Sequence, residues 1–256
     1  TAQTNWAAFT AQQRSEVLRK ASDILEEHLE TAANQLTADM GKAIRDARGE
    51  VLRSIAILRY YSGDALQPSG DVYPSADSST FLLTIEEPLG VICAITPWNF
   101  PFAIPTWKIA PALATGNTVV LKPAETTPLT TLKLAEIIQE ADLPPGVVNI
   151  ITGSGETGVM LTQHPNINKI AFTGSTEVGK LIQATLAGTS KKLTLELGGK
   201  GANIIFEDAP IDQAVEGVIN GIFFNQGHVC CAGSRLFVQE SVYDIVLKKL
   251  KDRLST

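Results

Sequence analysis

Between Gly90 and Phe206 short β-rich runs alternate with helical stretches, and this alternation limits the possible folds more than any other feature of the chain. The strand candidates are residues 91–96, 118–122, 147–151, 169–172, 192–195 and 203–206. Helical patterns lie between them near residues 101–115, 128–141, 157–163 and 177–186. The pattern predicts an α/β fold, a parallel sheet covered by helices on both faces. Ligands of such sheets bind beyond the carboxyl ends of the strands.

The first sixty residues differ in texture. Residues 10–62 read as helical: Thr10 with Gln13 forms a capping-box signature, and Val17, Leu18, Ala21, Ile24, Leu25 and Leu29 recur at helical spacing. A second stripe, Ile44, Ala47, Val51, Ile55 and Leu58, follows a stop signal at Gly41. Gln67-Pro68-Ser69-Gly70 and Tyr73-Pro74-Ser75 are turn-rich, and residues 81–85 read as a strand.

Composition removes several function classes. A chain of 256 residues suggests one to two domains with a sizeable core. A net charge of −6 without any Lys/Arg cluster argues against a nucleic-acid surface. No apolar run is long enough for a membrane-spanning helix, and the first residues lack a signal-peptide pattern, so no membrane association or export is expected. Three cysteines, two of them adjacent, suit cytosolic thiols and a cytoplasmic location rather than a disulfide framework. Three scattered histidines, His28, His164 and His228, make a metal site unexpected.

The chemistry-bearing candidates follow directly on strand candidates. Gly174-Ser175-Thr176-Glu177-Val178-Gly179 opens a helix, where backbone amides could receive a pyrophosphate; an ordinary strand–helix turn is the other reading. Lys122 and Glu125 suit ribose hydroxyls, or form a surface ion pair. Asn99, between Pro97 and Pro101, stands on a stiff platform that could aim its amide at developing negative charge, or is a turn former in a packing loop. Cys230, in a Gly-containing loop, is either an inert thiol or an activated nucleophile, whereas Cys93 in an apolar run fits the inert class. Glu196, before Gly198-Gly199, is a general base or a strand-end surface residue.

Taken in order, five segments resemble the NAD(P)-dependent aldehyde dehydrogenase superfamily: residues 95–101 (Ile-Thr-Pro-Trp-Asn-Phe-Pro), 121–125 (Leu-Lys-Pro-Ala-Glu), 172–179, 195–200 (Leu-Glu-Leu-Gly-Gly-Lys) and the Cys230 segment. The glutamate and cysteine segments are the specific ones. The resemblance runs along the whole chain and implies a Rossmann-like cofactor domain formed by residues 1–68 and 89–198. It further implies an oligomerisation hairpin at 69–88 and the start of a second, α/β catalytic domain at 199–256. Family members have roughly twice this length, so the chain is expected to be incomplete.

By the same resemblance Cys230 rather than Cys231 is the nucleophile, Glu196 the general base, and Asn99 with the Cys230 backbone N–H the oxyanion hole. Lys122 and Glu125 bind the adenosine ribose, Ser175 with Gly174 and Gly179 faces the pyrophosphate, and Thr96, Pro97, Trp98 and Leu197 line the cofactor cleft. His228 departs from the family pattern, which has Gln or Glu there, and raises the question of an imidazole acting on Cys230. The implied reaction oxidises a small-molecule aldehyde to the acid with NAD, NADP being less favoured, through a thiohemiacetal and a thioester. The segment from Phe100 to Trp107 resembles enzymes acting on semialdehydes. The implied assembly is a homodimer or homotetramer. The alternatives are a piece that binds nucleotide or assembles without catalysing, and a cysteine hydrolase pairing Cys230 with His228 or His164.

Overall fold

Helical spacing in the first sixty residues produces α1 (Ala2–Ala7), α2 (Ala11–Glu27), α3 (Leu29–Met40) and α4 (Ile44–Asp64) in the computed structural model, which describes residues 2–67 and 70–255. The capping box forms at the start of α2, with Gln13 N donating to Thr10 Oγ1 (3.2 Å) and Thr10 N donating to Gln13 Oε1 (2.9 Å). Gly41 ends α3 at φ +85°, a left-handed conformation in which glycine carries no Cβ penalty. Leu18, Leu25, Val51 and Leu58 are buried, as their stripes require. The short helix α1 has no counterpart in the sequence reading. It is held by the fully buried Trp6, whose indole N–H donates to Leu113 O at 3.2 Å.

Pro68 and Ser69 of the first expected turn lie outside the described residues. Beyond it, β1 (Val72–Tyr73) and β2 (Leu82–Leu83) pair antiparallel, Val72 opposite Leu83. The strand expected at 81–85 is paired over two residues only, because a lone two-stranded hairpin has no sheet to extend along. Val72, Tyr73, Phe81, Leu82, Leu83 and Ile85 are all exposed.

The alternating region builds a five-stranded sheet. Its elements are β3 (Val91–Ile95), α5 (Ala103–Ala114), β4 (Thr118–Lys122), α6 (Pro128–Glu140), β5 (Val148–Ile150), α7 (Gly155–Gln163), β6 (Lys169–Gly174), α8 (Thr176–Leu186) and β7 (Lys192–Leu197). The strand order is β5-β4-β3-β6-β7, and the β3–β4, β4–β5 and β3–β6 pairs are parallel. The chain therefore steps outward from β3 in one direction, then returns to its other side. That reversal opens a crevice at the carboxyl ends of β3 and β6. Ile92, Cys93, Ala94, Val119, Leu121 and Ile170 make the middle of the sheet a continuous apolar layer.

Two compact units result, Thr1–Glu196 and Leu197–Thr256. In the second, β8 (Ala202–Ile205) and β9 (Arg235–Val238) pair parallel and are joined through α9 (Ile211–Phe223), with α10 (Tyr243–Leu254) following. It is a βαβ unit, of which the sequence reading had named only the first strand. No helix among the described residues is long and apolar enough to cross a membrane.

Candidate active site

Parallel pairing carries the chemistry to one edge of the sheet. Thr96-Pro97-Trp98-Asn99 follows β3, Lys122 ends β4, Gly174 ends β6 with Ser175 next, and Glu196 with Leu197 ends β7. The last strand runs two residues further than the spacing suggested. Glu196 and Leu197 consequently leave opposite faces of β7, Glu196 exposed and Leu197 half-buried. The two roles assigned to them thus fall on different faces of the strand end.

Asn99 is half-buried, and its Oδ1 accepts the Phe100 backbone N–H at 3.1 Å. The acceptor end of the amide is thereby tied to its own loop, which turns the NH₂ end outward from that bond. At the end of β4 the Lys122 side chain is buried, its ammonium donating to Pro123 O (3.1 Å) and lying 3.5 Å from Glu125 Oε2. Glu125 itself is 61% exposed. Its own backbone N–H, and then the Lys122 ammonium, hold its carboxyl below the usual carboxylate range.

At the β6–α8 junction Ser175 is the N-cap, its hydroxyl accepting Val178 N at 3.3 Å. Gly174 has a local reason for being glycine: a Cβ there would come within 2.4 Å of the Phe172 ring. Gly179 is buried inside α8.

The second unit contains Cys230. Three successive residues before it, Asn225, Gln226 and Gly227, take φ of 51°, 59° and 78°. Two non-glycine residues in the left-handed region mark a held conformation. Asn225, fully buried, holds it: its Nδ2 donates to His228 O (3.2 Å), and His228 N donates to Asn225 O (3.0 Å). Two of the three glycines after Glu196 pack on the chain that follows this turn. A Cβ on Gly199 would meet Cys230 O at 3.2 Å, and one on Gly201 would meet Ala232 O at 3.0 Å. Cys230 and Cys231 are both exposed and free. Partial burial and then the neighbouring Cys231 thiol push the Cys230 thiol up, while the backbone N–H groups of Cys231 and Cys230 pull it down. Cys93 is fully buried in β3 and pushed up to about 12 by burial, which makes it inert.

Lys108, on α5, was not singled out in the sequence. Burial pushes its ammonium down to about 8, and the Glu196 carboxylate partly opposes that shift. A lysine inside an otherwise apolar helical stretch was the available signal. Among the described residues no three His, Cys, Asp or Glu side chains are grouped to hold a metal ion.

The fold is that of an α/β protein built on a parallel sheet, and comparison with known proteins makes the assignment specific. The aldehyde dehydrogenase family model matches residues 1–256, and the chain belongs to that family. The alpha-ketoglutaric semialdehyde dehydrogenase of Bacillus subtilis (strain 168) is 45% identical over 98% of this chain. A crystal structure of an E. coli NADP-dependent enzyme superposes with TM-score 0.97 and 41% identity, covering 99% of this chain and 53% of that one. Betaine aldehyde dehydrogenase from Staphylococcus aureus in complex with NAD+ superposes with TM-score 0.95 and 39% identity, covering 98% of this chain and 50% of that one. The chain spans about half the length of the curated relatives it matches, 52% for the Bacillus protein. Relatives that are aldehyde dehydrogenases along the whole match do not favour the reading as a non-catalytic piece.

The family is NAD(P)-dependent, and the first unit suits such a cofactor. Thr96 Oγ1 and Thr173 Oγ1 are buried without a hydrogen-bond partner among the described residues. They stand at the ends of β3 and β6, the two strands that flank the reversal crevice. Buried hydroxyls left unpaired cost about 1–3 kcal/mol each, which a polar ligand at that edge would recover. Lys122 beside Glu125 adds a donor and an acceptor at the next strand end.

Proposed function

We propose that the full-length protein carrying this chain oxidises an aldehyde to its carboxylic acid with NAD. The observation that supports this most is the gathering of Thr96, Asn99, Lys122, Gly174 and Glu196 at neighbouring carboxyl ends of one parallel sheet. Lys122 and Glu125 would hold the adenosine ribose, and the start of α8 the pyrophosphate. Thr96, Pro97, Trp98 and Leu197 would line the rest of the cleft. Bound NAD supplies the hydride acceptor.

Cys230 thiolate adds to the aldehyde carbon, forming a C–S bond and an oxyanion. The Asn99 amide and the Cys230 backbone N–H stabilise that charge. Once the carbon is oxidised, Cys230 carries the acyl group as a thioester. Glu196 takes a proton from water, the resulting hydroxide attacks the thioester, and the acid leaves with the Cys230 sulfur restored. A thiol suits both halves because it is strongly nucleophilic at neutral pH and a good leaving group.

Semialdehydes are the proposed substrate class, on the likeness of the Phe100–Trp107 segment and the Bacillus relative. A panel of semialdehydes and uncharged aldehydes, read by NADH absorbance on the full-length protein, tests both statements. Oxidation of none of them, with NAD or NADP, would refute the function. A cytoplasmic setting accords with three free cysteines.

Glu125 bears on cofactor choice. It is ionised at neutral pH, and a 2′-phosphate would bring like charge against it. A unit-charge pair at about 4 Å repels by ~4 kcal/mol at an effective dielectric near 20 and ~1 kcal/mol in water. With Glu125 mostly exposed and Lys122 adjacent, the lower figure governs, about fivefold. NAD should therefore exceed NADP in kcat/KM by about that factor, and Glu125→Ser should narrow the gap chiefly by improving NADP. Equal use of both by the wild type would mean that Lys122 outweighs Glu125.

The exposed hairpin is proposed as an assembly element. Six apolar side chains stand in water on or beside two short strands, an arrangement marginal without a partner surface. The full-length protein is expected to be a dimer or tetramer, and deletion of residues 71–86 to shift it to monomer by light scattering. An unchanged mass would count against that role.

A further inference from the structure

Behind the Asn99 loop lies a buried ion pair that the reaction does not use. Lys42 follows Gly41 in the α3–α4 connection, and Glu50 sits on the inner face of α4. Their side chains are 0% and 1% exposed, with Nζ and Oε2 2.5 Å apart. Both also reach the same five-residue stretch. Lys42 Nζ donates to Asn99 O at 2.9 Å and lies 4.4 Å from the centre of the Phe100 ring. Glu50 Oε1 accepts the backbone N–H of Phe102 (2.8 Å) and of Ala103 (2.9 Å). Thr131 Oγ1 on α6 donates to Pro101 O at 2.8 Å. Each residue from Asn99 to Ala103 is thus gripped from the helical layer.

The grip answers a local need. α5 begins at Ala103, and its N-cap residue is Phe102, whose side chain cannot accept the first helical N–H groups. Glu50 supplies that acceptor from another helix and places negative charge at the helix N-terminus. Its own counter-charge, Lys42, then spends a second donor on the Asn99 carbonyl. An apolar pair of the same size would fill the space without fixing the loop.

We infer that Lys42 and Glu50 are positioning residues for the Asn99 amide, holding the oxyanion donor in place without touching substrate. This rests on the reading of Asn99 as that donor. A misplacement of about 1 Å costs on the order of a hundredfold in rate, while substrate and cofactor affinity need not change.

The test compares Lys42→Met, Asn99→Ala and the double variant in the full-length protein. Lys42→Met should lower kcat about ten- to a hundredfold, with NAD affinity and KM for aldehyde within about threefold of wild type. The double variant should be no more than about threefold slower than Asn99→Ala alone, because both changes remove one function. A Lys42→Met enzyme with wild-type kcat, or losses that multiply in the double variant, would overturn the inference. Should Lys42→Met not fold, Glu50→Gln, of the same shape, carries the same comparison with the same outcomes. A wild-type rate in Asn99→Ala would instead overturn the oxyanion assignment and this inference with it, and so separates the two failures.

Discussion

Cys230→Ala in the full-length protein is expected to abolish aldehyde oxidation, a fall of about 10⁴-fold or more, with NAD binding near normal. The reasoning is chemical: without the sulfur there is no atom to form the C–S bond, and the remaining donors can only polarise a carbonyl. Cofactor affinity should survive because its proposed ribose and pyrophosphate contacts lie in the first unit, at the ends of β4 and β6. Cys231→Ala should keep measurable activity. Both thiols are exposed and free, so access does not choose between them. The choice rests on position: Cys230 is the third residue after Gly227, where the left-handed turn ends. Steady-state rates of the two variants decide it, and an active Cys230→Ala beside a dead Cys231→Ala would reverse the assignment.

Glu196→Gln should slow turnover by about 10²- to 10⁴-fold, the span of general-base contributions. The loss should fall on thioester hydrolysis rather than on acylation, since the water loses its proton acceptor while Cys230 and Asn99 are intact. In a pre-steady-state experiment the first turnover should give a burst of NADH followed by a slow phase. Loss of the burst itself, with normal cofactor binding, would remove Glu196 from this role.

Periodicity disclosed the sheet because its strands are apolar runs bounded by turns; residues 118–122 form a strand with the expected limits. The capping box and the Gly41 stop were equally legible, being local rules satisfied by local atoms. The Lys42–Glu50 pair was not. Glu50 lies between Ala47 and Val51 on the very stripe that turns inward, so helical spacing placed it in the core. A charged residue at such a position was the signal, but its partners are Lys42 and the Phe102 and Ala103 N–H groups, the latter about fifty residues further on. Pairing across that separation is a property of tertiary packing, which one-dimensional pattern does not carry. The same holds for Gly199 and Gly201, whose reason for being glycine is a backbone passing about thirty residues later in the chain.

That contact is expected to make the proposed nucleophile loop sensitive to mutation. Where main chain rests directly on main chain, no flexible side chain can yield, and an added methyl group at Gly201 would have to displace the Ala232 carbonyl at 3.0 Å or its own strand. A single-codon change from glycine to alanine, neutral on most surfaces, would here shift the segment bearing the proposed nucleophile. In a saturation-mutagenesis library this pair of glycines is expected to be depleted, although neither has a functional group to lose.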